Sequence, residues 1–153
     1  MTMSRRKRTR EQDPVSVPQP VPGQADLVVV DTTWGELQPI EVAPGVRTVG
    51  ELEVIDLVQQ GATLVDCRTR GSFMGATIAG SVVIPHDEVV DRREAFDPDG
   101  VAVLFCNGPQ CPQSPDAIRR LLAAGVPAAA LAYYRGGMQD WVCAALPTEP
   151  QAD

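Results

Sequence analysis

The sequence predicts an α/β domain built on a parallel sheet, and three observations carry that prediction. From about residue 47 onward, apolar runs of strand length alternate with segments of helical periodicity. One run, Val101-Ala102-Val103-Leu104-Phe105, is apolar without interruption, as strands covered on both faces by helices are. The 153 residues are 44% hydrophobic and 22% charged, enough apolar material for one core.

Residues 1–25 hold Pro14, Pro18, Pro20 and Pro22 among polar and charged residues. Proline fixes φ and removes a backbone donor, so a disordered, extended arm is expected there. Residues 26–46 read as a partly ordered lead-in: Leu27–Val30 as an edge strand, and Trp34, Leu37 and Ile40 as apolar anchors strapping the arm to the domain.

The domain itself spans residues 47–147. Thr48-Val49-Gly50-Glu51 fits a capping box, followed by a helix with Leu52, Val54, Ile55, Leu57 and Val58 as its apolar stripe, ending at Gly61. Thr63-Leu64-Val65 reads as a buried strand running into Asp66-Cys67-Arg68, and Gly80–Pro85 as a second strand after a short irregular or helical stretch. His86–Arg93 is expected as a short helix and Asp97-Pro98-Asp99-Gly100 as a turn before the strand Val101–Phe105. Ser114-Pro115-Asp116 supplies an N-cap, a proline at the first helical position and an early acidic residue, for a helix through Ile118, Leu121 and Leu122 to Gly125. Strand Ala130–Tyr134, turn Arg135-Gly136-Gly137 and helix Met138–Ala145 complete the domain, and residues 148–153 form a tail.

Charge and cysteine usage exclude several functions. The formal net charge is −7, although five of the thirteen basic residues fall within the first ten positions, which hold no acidic residue. The remaining body is more acidic still, so neither nucleic acid nor anionic lipid is an expected partner. No apolar run approaches the roughly 18–20 residues of a membrane span. Met1–Arg10 is followed by Glu11, Gln12 and Asp13 in place of an apolar export signal, so a cytoplasmic location is expected. Four cysteines without such a signal do not suggest a disulfide scaffold. With His86 the single histidine and Cys106–Cys111 the single close cysteine pair, no metal or cofactor is expected.

The chemistry concentrates at the end of the apolar strand. Cys106 is followed by Asn107-Gly108-Pro109-Gln110-Cys111-Pro112-Gln113 and then by the helix start at Ser114. A thiol facing a helix N-terminus and a loop of inward-turned N–H groups is stabilised as thiolate, and the same cradle holds a sulfur-bearing anion beside it. Carboxyl ends of parallel strands are also where α/β domains place their sites. Cys111, five residues on through a tight loop, is a candidate second thiol, whether as resolving partner, disulfide partner or nucleophile, or a loop residue without chemistry. Cys67 and Cys143 read as packing residues, and Trp141 as a core anchor.

Three segments between about Val46 and Pro147 resemble a rhodanese-like (sulfurtransferase) domain. Leu64-Val65-Asp66-Cys67-Arg68 is similar to that family's first strand with its Asp-x-Arg end. Gly75-Ala76-Thr77-Ile78-Ala79-Gly80-Ser81-Val82-Val83-Ile84-Pro85 resembles its Gly-His-Ile-x-Gly-Ala-x-x-Ile-Pro segment, with Ala76 or Thr77 where histidine is usual. Tyr134-Arg135-Gly136-Gly137-Met138-Gln139-Asp140-Trp141 with Leu146-Pro147 resembles its closing Gly-Gly-x-x-x-Trp…Leu-Pro. The resemblance implies a three-layer fold, with a mostly parallel sheet of about five strands and helices on both faces. It also implies that Cys106 accepts a sulfane sulfur from a small donor and passes it from a persulfide to a thiol, a cyanide-like acceptor or a protein thiol.

The loop departs from the usual pattern, being about two residues longer and lacking a basic side chain; Arg119 and Arg120 come only later, on the helix. A small anionic donor such as thiosulfate therefore loses its charge partner. A smaller set of rhodanese-like proteins resembles this chain in carrying Cys-Asn-Gly-Pro-x-Cys. Asp66 and Arg68 are candidate supports of the site floor, or an ion pair tying strand ends together. Arg135 is a candidate substitute for the missing loop charge, or an exposed residue. Lone His86 reads as a surface or helix-start residue. Two other classes stay open: a binding or regulatory module without turnover, and a thiol redox protein using Cys106 and Cys111. A phosphatase needs arginine six positions after its nucleophile, where this chain has Pro112 or Ala117.

Overall fold

The computed structural model describes residues 19–29, 37–70 and 75–151. In chain order the strands and α-helices are β1 (Gln19–Val21), β2 (Gln24–Val29), β3 (Arg47–Thr48), α1 (Glu51–Gln59), β4 (Thr63–Asp66), β5 (Ala76–Ile78), β6 (Val82–Val83), β7 (Ala102–Phe105), α2 (Gln113–Ala123), β8 (Leu131–Tyr133), α3 (Gly137–Cys143) and β9 (Thr148–Pro150). Five of these strands form a wholly parallel sheet in the order β3-β8-β7-β4-β6. The apolar run of β7 lies at its centre, with Leu104 opposite Val65 on one side and Tyr133 on the other.

Successive strand residues face opposite ways, and two core layers result. Leu104, Val65, Leu131 and Tyr133 pack against Ala117, Ile118 and Leu121 of α2. Val103, Phe105, Leu64 and Ala132 pack against Val54 and Leu57 of α1 and Met138 and Trp141 of α3. Each large side chain so buried contributes about 1.5–3 kcal/mol. The expected three-layer arrangement is therefore present, with α2 on one face and α1 and α3 on the other. The sheet's carboxyl edge gathers Asp66 to Arg68, Cys106 and its loop, and Tyr134 to Gly137.

The details differ from the sequence expectations in ways that have local causes. Leu27–Val29 lie in a strand as expected, with Val30 outside the described residues; this strand, β2, pairs antiparallel with β1 through Pro22-Gly23, so regular structure extends into the span expected as an arm. Trp34 lies outside the described residues. Leu37 and Ile40 are exposed, and it is the backbone of Gln38 that ties the lead-in down. The helix cap lies two residues later than expected. Gly50 is the N-cap of α1, and its N–H donates to Glu53 Oε1 (3.1 Å), while Thr48 is drawn into β3 beside β8 and its hydroxyl donates to the Ile40 carbonyl.

Leu52 is 78% exposed because Val54 and Leu57 define the buried face of α1. His86–Arg93 makes successive turns ending in a 3₁₀ helix at Arg93–Ala95, with Pro85 accepting from Glu88 and Val90 from Arg93. Part of the expected tail is β9, paired antiparallel with β5. Cys143, expected to pack, is exposed on α3.

Candidate active site

The backbone at the end of β7 is held by three hydrogen bonds from two neighbouring elements. Cys67 N–H donates to the Phe105 carbonyl (2.9 Å), and Met138 and Gln139 N–H groups donate to the Cys106 and Asn107 carbonyls (3.0 and 2.8 Å). The Met138 and Gln139 amides belong to the first turn of α3 and would otherwise lack partners. The approach is close enough to demand glycine: a Cβ on Gly137 would lie 2.3 Å from the Cys106 carbonyl oxygen, and φ there is +55°. With its carbonyls occupied, the loop turns N–H groups toward the thiol.

Cys106 is 2% exposed. Its Sγ accepts from the Ser114 N–H (3.3 Å), lies 3.1 Å from Ser114 Oγ and 3.4 Å from the Cys111 carbonyl oxygen. Burial pushes the thiol pKa up. Hydrogen bonds from the Cys111 thiol, from the Ser114 hydroxyl and amide and from the Asn107 amide outweigh burial and hold it below the ordinary value. Helix α2 begins at Gln113, two residues earlier than expected, so Ser114 stands inside the first turn and its hydroxyl serves the sulfur instead of capping the helix.

Cys111 returns to Cys106 because its N–H donates to the Gly108 carbonyl (3.0 Å). Its side chain is buried, with Gln113 Oε1 3.7 Å from Sγ. Burial, then the hydrogen bond to Cys106 and that group's charge, push its pKa far up, so Cys111 is the protonated member of the pair. Pro109 and Gln110 are half-buried at the loop tip, where Pro109 accepts from Gln38 N–H (2.7 Å). Tyr133 projects from β8 into the layer below the loop, and its hydroxyl is buried without a partner among the described residues. Burial first, then the charge of Cys106, raises its pKa.

Asp66 and Arg68 are both buried and paired with each other: Arg68 Nε lies 3.0 and 3.2 Å from the two carboxylate oxygens, and Nη2 lies 2.8 Å from Oδ2. Thr77 Oγ1 donates to Asp66 Oδ2 (2.7 Å), and Arg68 also donates to the Ala76 carbonyl and to Asn107 Oδ1 (3.1 Å). Asn107 thereby joins this network to the thiol loop. Arg135 donates through Nε and Nη2 to the Gln38 carbonyl (3.0 and 2.8 Å), so its charge fastens the lead-in segment. His86 Nδ1 lies 2.6 Å from Asp116 Oδ2, which also accepts from Arg120 Nε (2.8 Å).

Gln38, Thr77, Tyr133 and Asp116 escaped the sequence reading as neighbours of the site. Only Thr77 carried a signal, standing within the segment where the resembled family usually has histidine. Among the described residues, no group of three or more His, Cys, Asp and Glu could hold a metal ion, and no helix is long and apolar enough to cross a membrane.

A buried cysteine that meets N–H and O–H donors at the carboxyl edge of a parallel sheet, between a glycine- and proline-rich turn and a helix start, defines a cysteine-centred α/β domain. A family model, the rhodanese-like domain, matches residues 52–144, and the chain belongs to that family. Over 90 residues it is 34% identical to the HTH-type transcriptional regulator Rv0324 of Mycobacterium tuberculosis; the match covers 59% of this chain but only 38% of that relative's length. Among solved structures, the thiosulfate sulfurtransferase of Pseudomonas aeruginosa is similar, with a TM-score of 0.58 at 24% identity over 74% of this chain and 22% of that one. The rhodanese-like domain of the Anabaena Alr3790 protein has a TM-score of 0.57 at 21% identity over 67% and 78% of the two chains. At these identities the structural likeness establishes the fold.

Proposed function

We propose that this domain is a sulfurtransferase that carries sulfane sulfur on Cys106. The observation that carries the reading is the Cys106 sulfur itself, buried yet supplied with donors from Ser114 and Asn107 that hold it as thiolate. The thiolate attacks the sulfane sulfur of a donor; the new S–S bond forms as the donor's bond to that sulfur breaks, and the leaving group takes the electron pair. The resulting persulfide bears its charge on the outer sulfur. An acceptor thiolate or cyanide-like nucleophile then attacks that sulfur, and Cys106 departs as thiolate, restoring the enzyme.

The loop holds no basic side chain, and Arg135 is committed to Gln38. This favours donors that need no cationic clamp, such as low-molecular-weight persulfides, over thiosulfate. The absence of a cationic clamp also favours a second reading, a regulatory module that takes up sulfur without turnover. The name of the mycobacterial relative, a transcriptional regulator, points the same way. Sulfide production from each donor in the presence of a dithiol separates the two. Sustained production lost in Cys106→Ser is the expected result; a single stoichiometric uptake with no turnover overturns the enzyme in favour of the module.

A further inference from the structure

We propose that Cys111 is a built-in resolving thiol, which converts the Cys106 persulfide into a Cys106–Cys111 disulfide and releases the sulfur as sulfide. This rests on Cys106 being the sulfur carrier, and it assigns the acceptor of that same site to the protein itself.

Three observations support it. The Gly108–Cys111 turn brings Cys111 back until its carbonyl oxygen is 3.4 Å from Cys106 Sγ, and both cysteines are buried, at 1% and 2% exposure. A sulfur on Cys106 is enclosed by the same short loop that carries the Cys111 side chain, which is itself buried and one turn away. The two thiols are also in complementary states, one a thiolate that attacks the donor and the other protonated. The proton on Cys111 has an evident use. Once sulfur is loaded, negative charge moves from Sγ of Cys106 to the outer sulfur, and the proton that was shared with Sγ can follow it.

The step balances within the protein. Cys111 sulfur attacks Sγ of Cys106, the Sγ–outer sulfur bond breaks, and the outer sulfur leaves with the electron pair and the Cys111 proton as hydrosulfide. The sulfane sulfur gains two electrons, and the two cysteine sulfurs lose them in forming the disulfide. An external dithiol then reduces the disulfide for the next cycle by thiol–disulfide exchange.

The test is a single turnover of the reduced full-length chain with one equivalent of glutathione persulfide, without oxygen and without dithiol, so that the donor itself leaves as glutathione and not as sulfide. Released sulfide, intact mass and disulfide-linked peptides are followed in wild type, Cys111→Ser and Cys106→Ser. The expected result is about one sulfide per wild-type chain with a Cys106–Cys111 linked peptide, but a persistent one-sulfur adduct and no sulfide in Cys111→Ser. A wild-type chain that keeps its adduct as long as Cys111→Ser does, with no linked peptide, overturns the resolving role and leaves the carrier role of Cys106 standing. Absence of an adduct in Cys111→Ser together with absence of sulfide in wild type overturns both. Should Cys111→Ser fold poorly, the linked peptide and sulfide yield in wild type decide alone.

Discussion

Cys67 and Cys106 stand at the same place on neighbouring strands, yet the fold gives them opposite chemistry. Each follows a buried strand of the parallel pair β4–β7, each is buried, and the Cys67 N–H is bonded to the residue preceding Cys106. The Cys67 sulfur lies 3.8 Å from the Val65 carbonyl and has a single backbone donor, from Phe105. Burial, then the negative charge of Cys106, pushes its pKa well above the ordinary value. Cys106 is buried as deeply but meets N–H and O–H donors, and its pKa falls. A strand end therefore does not make a thiolate; the donors of the following loop do. The residues flanking Cys67 are used differently, since Arg68 is paired with Asp66 and turns no donor to the thiol.

This contrast can be broken at several points. Cys106→Ser should abolish sulfane-sulfur transfer outright, while Cys67→Ala should leave transfer intact, as steady-state sulfide production will show. Arg68→Met should cost about 3–5 kcal/mol in urea unfolding, because it leaves the Asp66 carboxylate buried with its main partner gone. It should also loosen Asn107 and slow transfer even at temperatures where the variant is folded.

Ser114→Ala removes one donor from the Cys106 sulfur. Thiolate is the reactive form, so the alkylation rate of Cys106 rises with pH through its pKa. The variant should shift that midpoint upward and react about three- to tenfold more slowly at neutral pH, measured by iodoacetamide labelling across a pH series. Removing the exposed Arg70–Glu88 pair, 3.2 Å apart, should change stability by less than about 1 kcal/mol. That makes it a control for the buried pair at Arg68.

Much of the fold was legible because its signals are local and repeated. Val101–Phe105 announces a central strand by unbroken apolarity, and Gly61 and Gly125 close the helices before β4 and β8. The site was legible as a strand end, a cysteine and a glycine- and proline-rich loop. What the sequence hid depends on distant partners. Ser114 looks like a helix cap until the loop brings Cys106 to its hydroxyl, and Arg135 looks like a spare charge until Gln38 occupies it. Thr48 reads as a helix cap because no local pattern reveals the strand partner that β8 offers it. Likewise the helical stripe of α1 contained more apolar residues than the sheet could cover, which left Leu52 exposed.

The most direct test of Cys106 as the sulfur carrier is peptide mapping of the Cys111→Ser chain after brief exposure to a low-molecular-weight persulfide, with free thiols blocked at once. One extra sulfur on the Cys106 peptide, and none on the peptides bearing Cys67 or Cys143, is the predicted result. Sulfur on Cys67 or Cys143, or on no peptide while Cys106 still reacts with iodoacetamide, would contradict it.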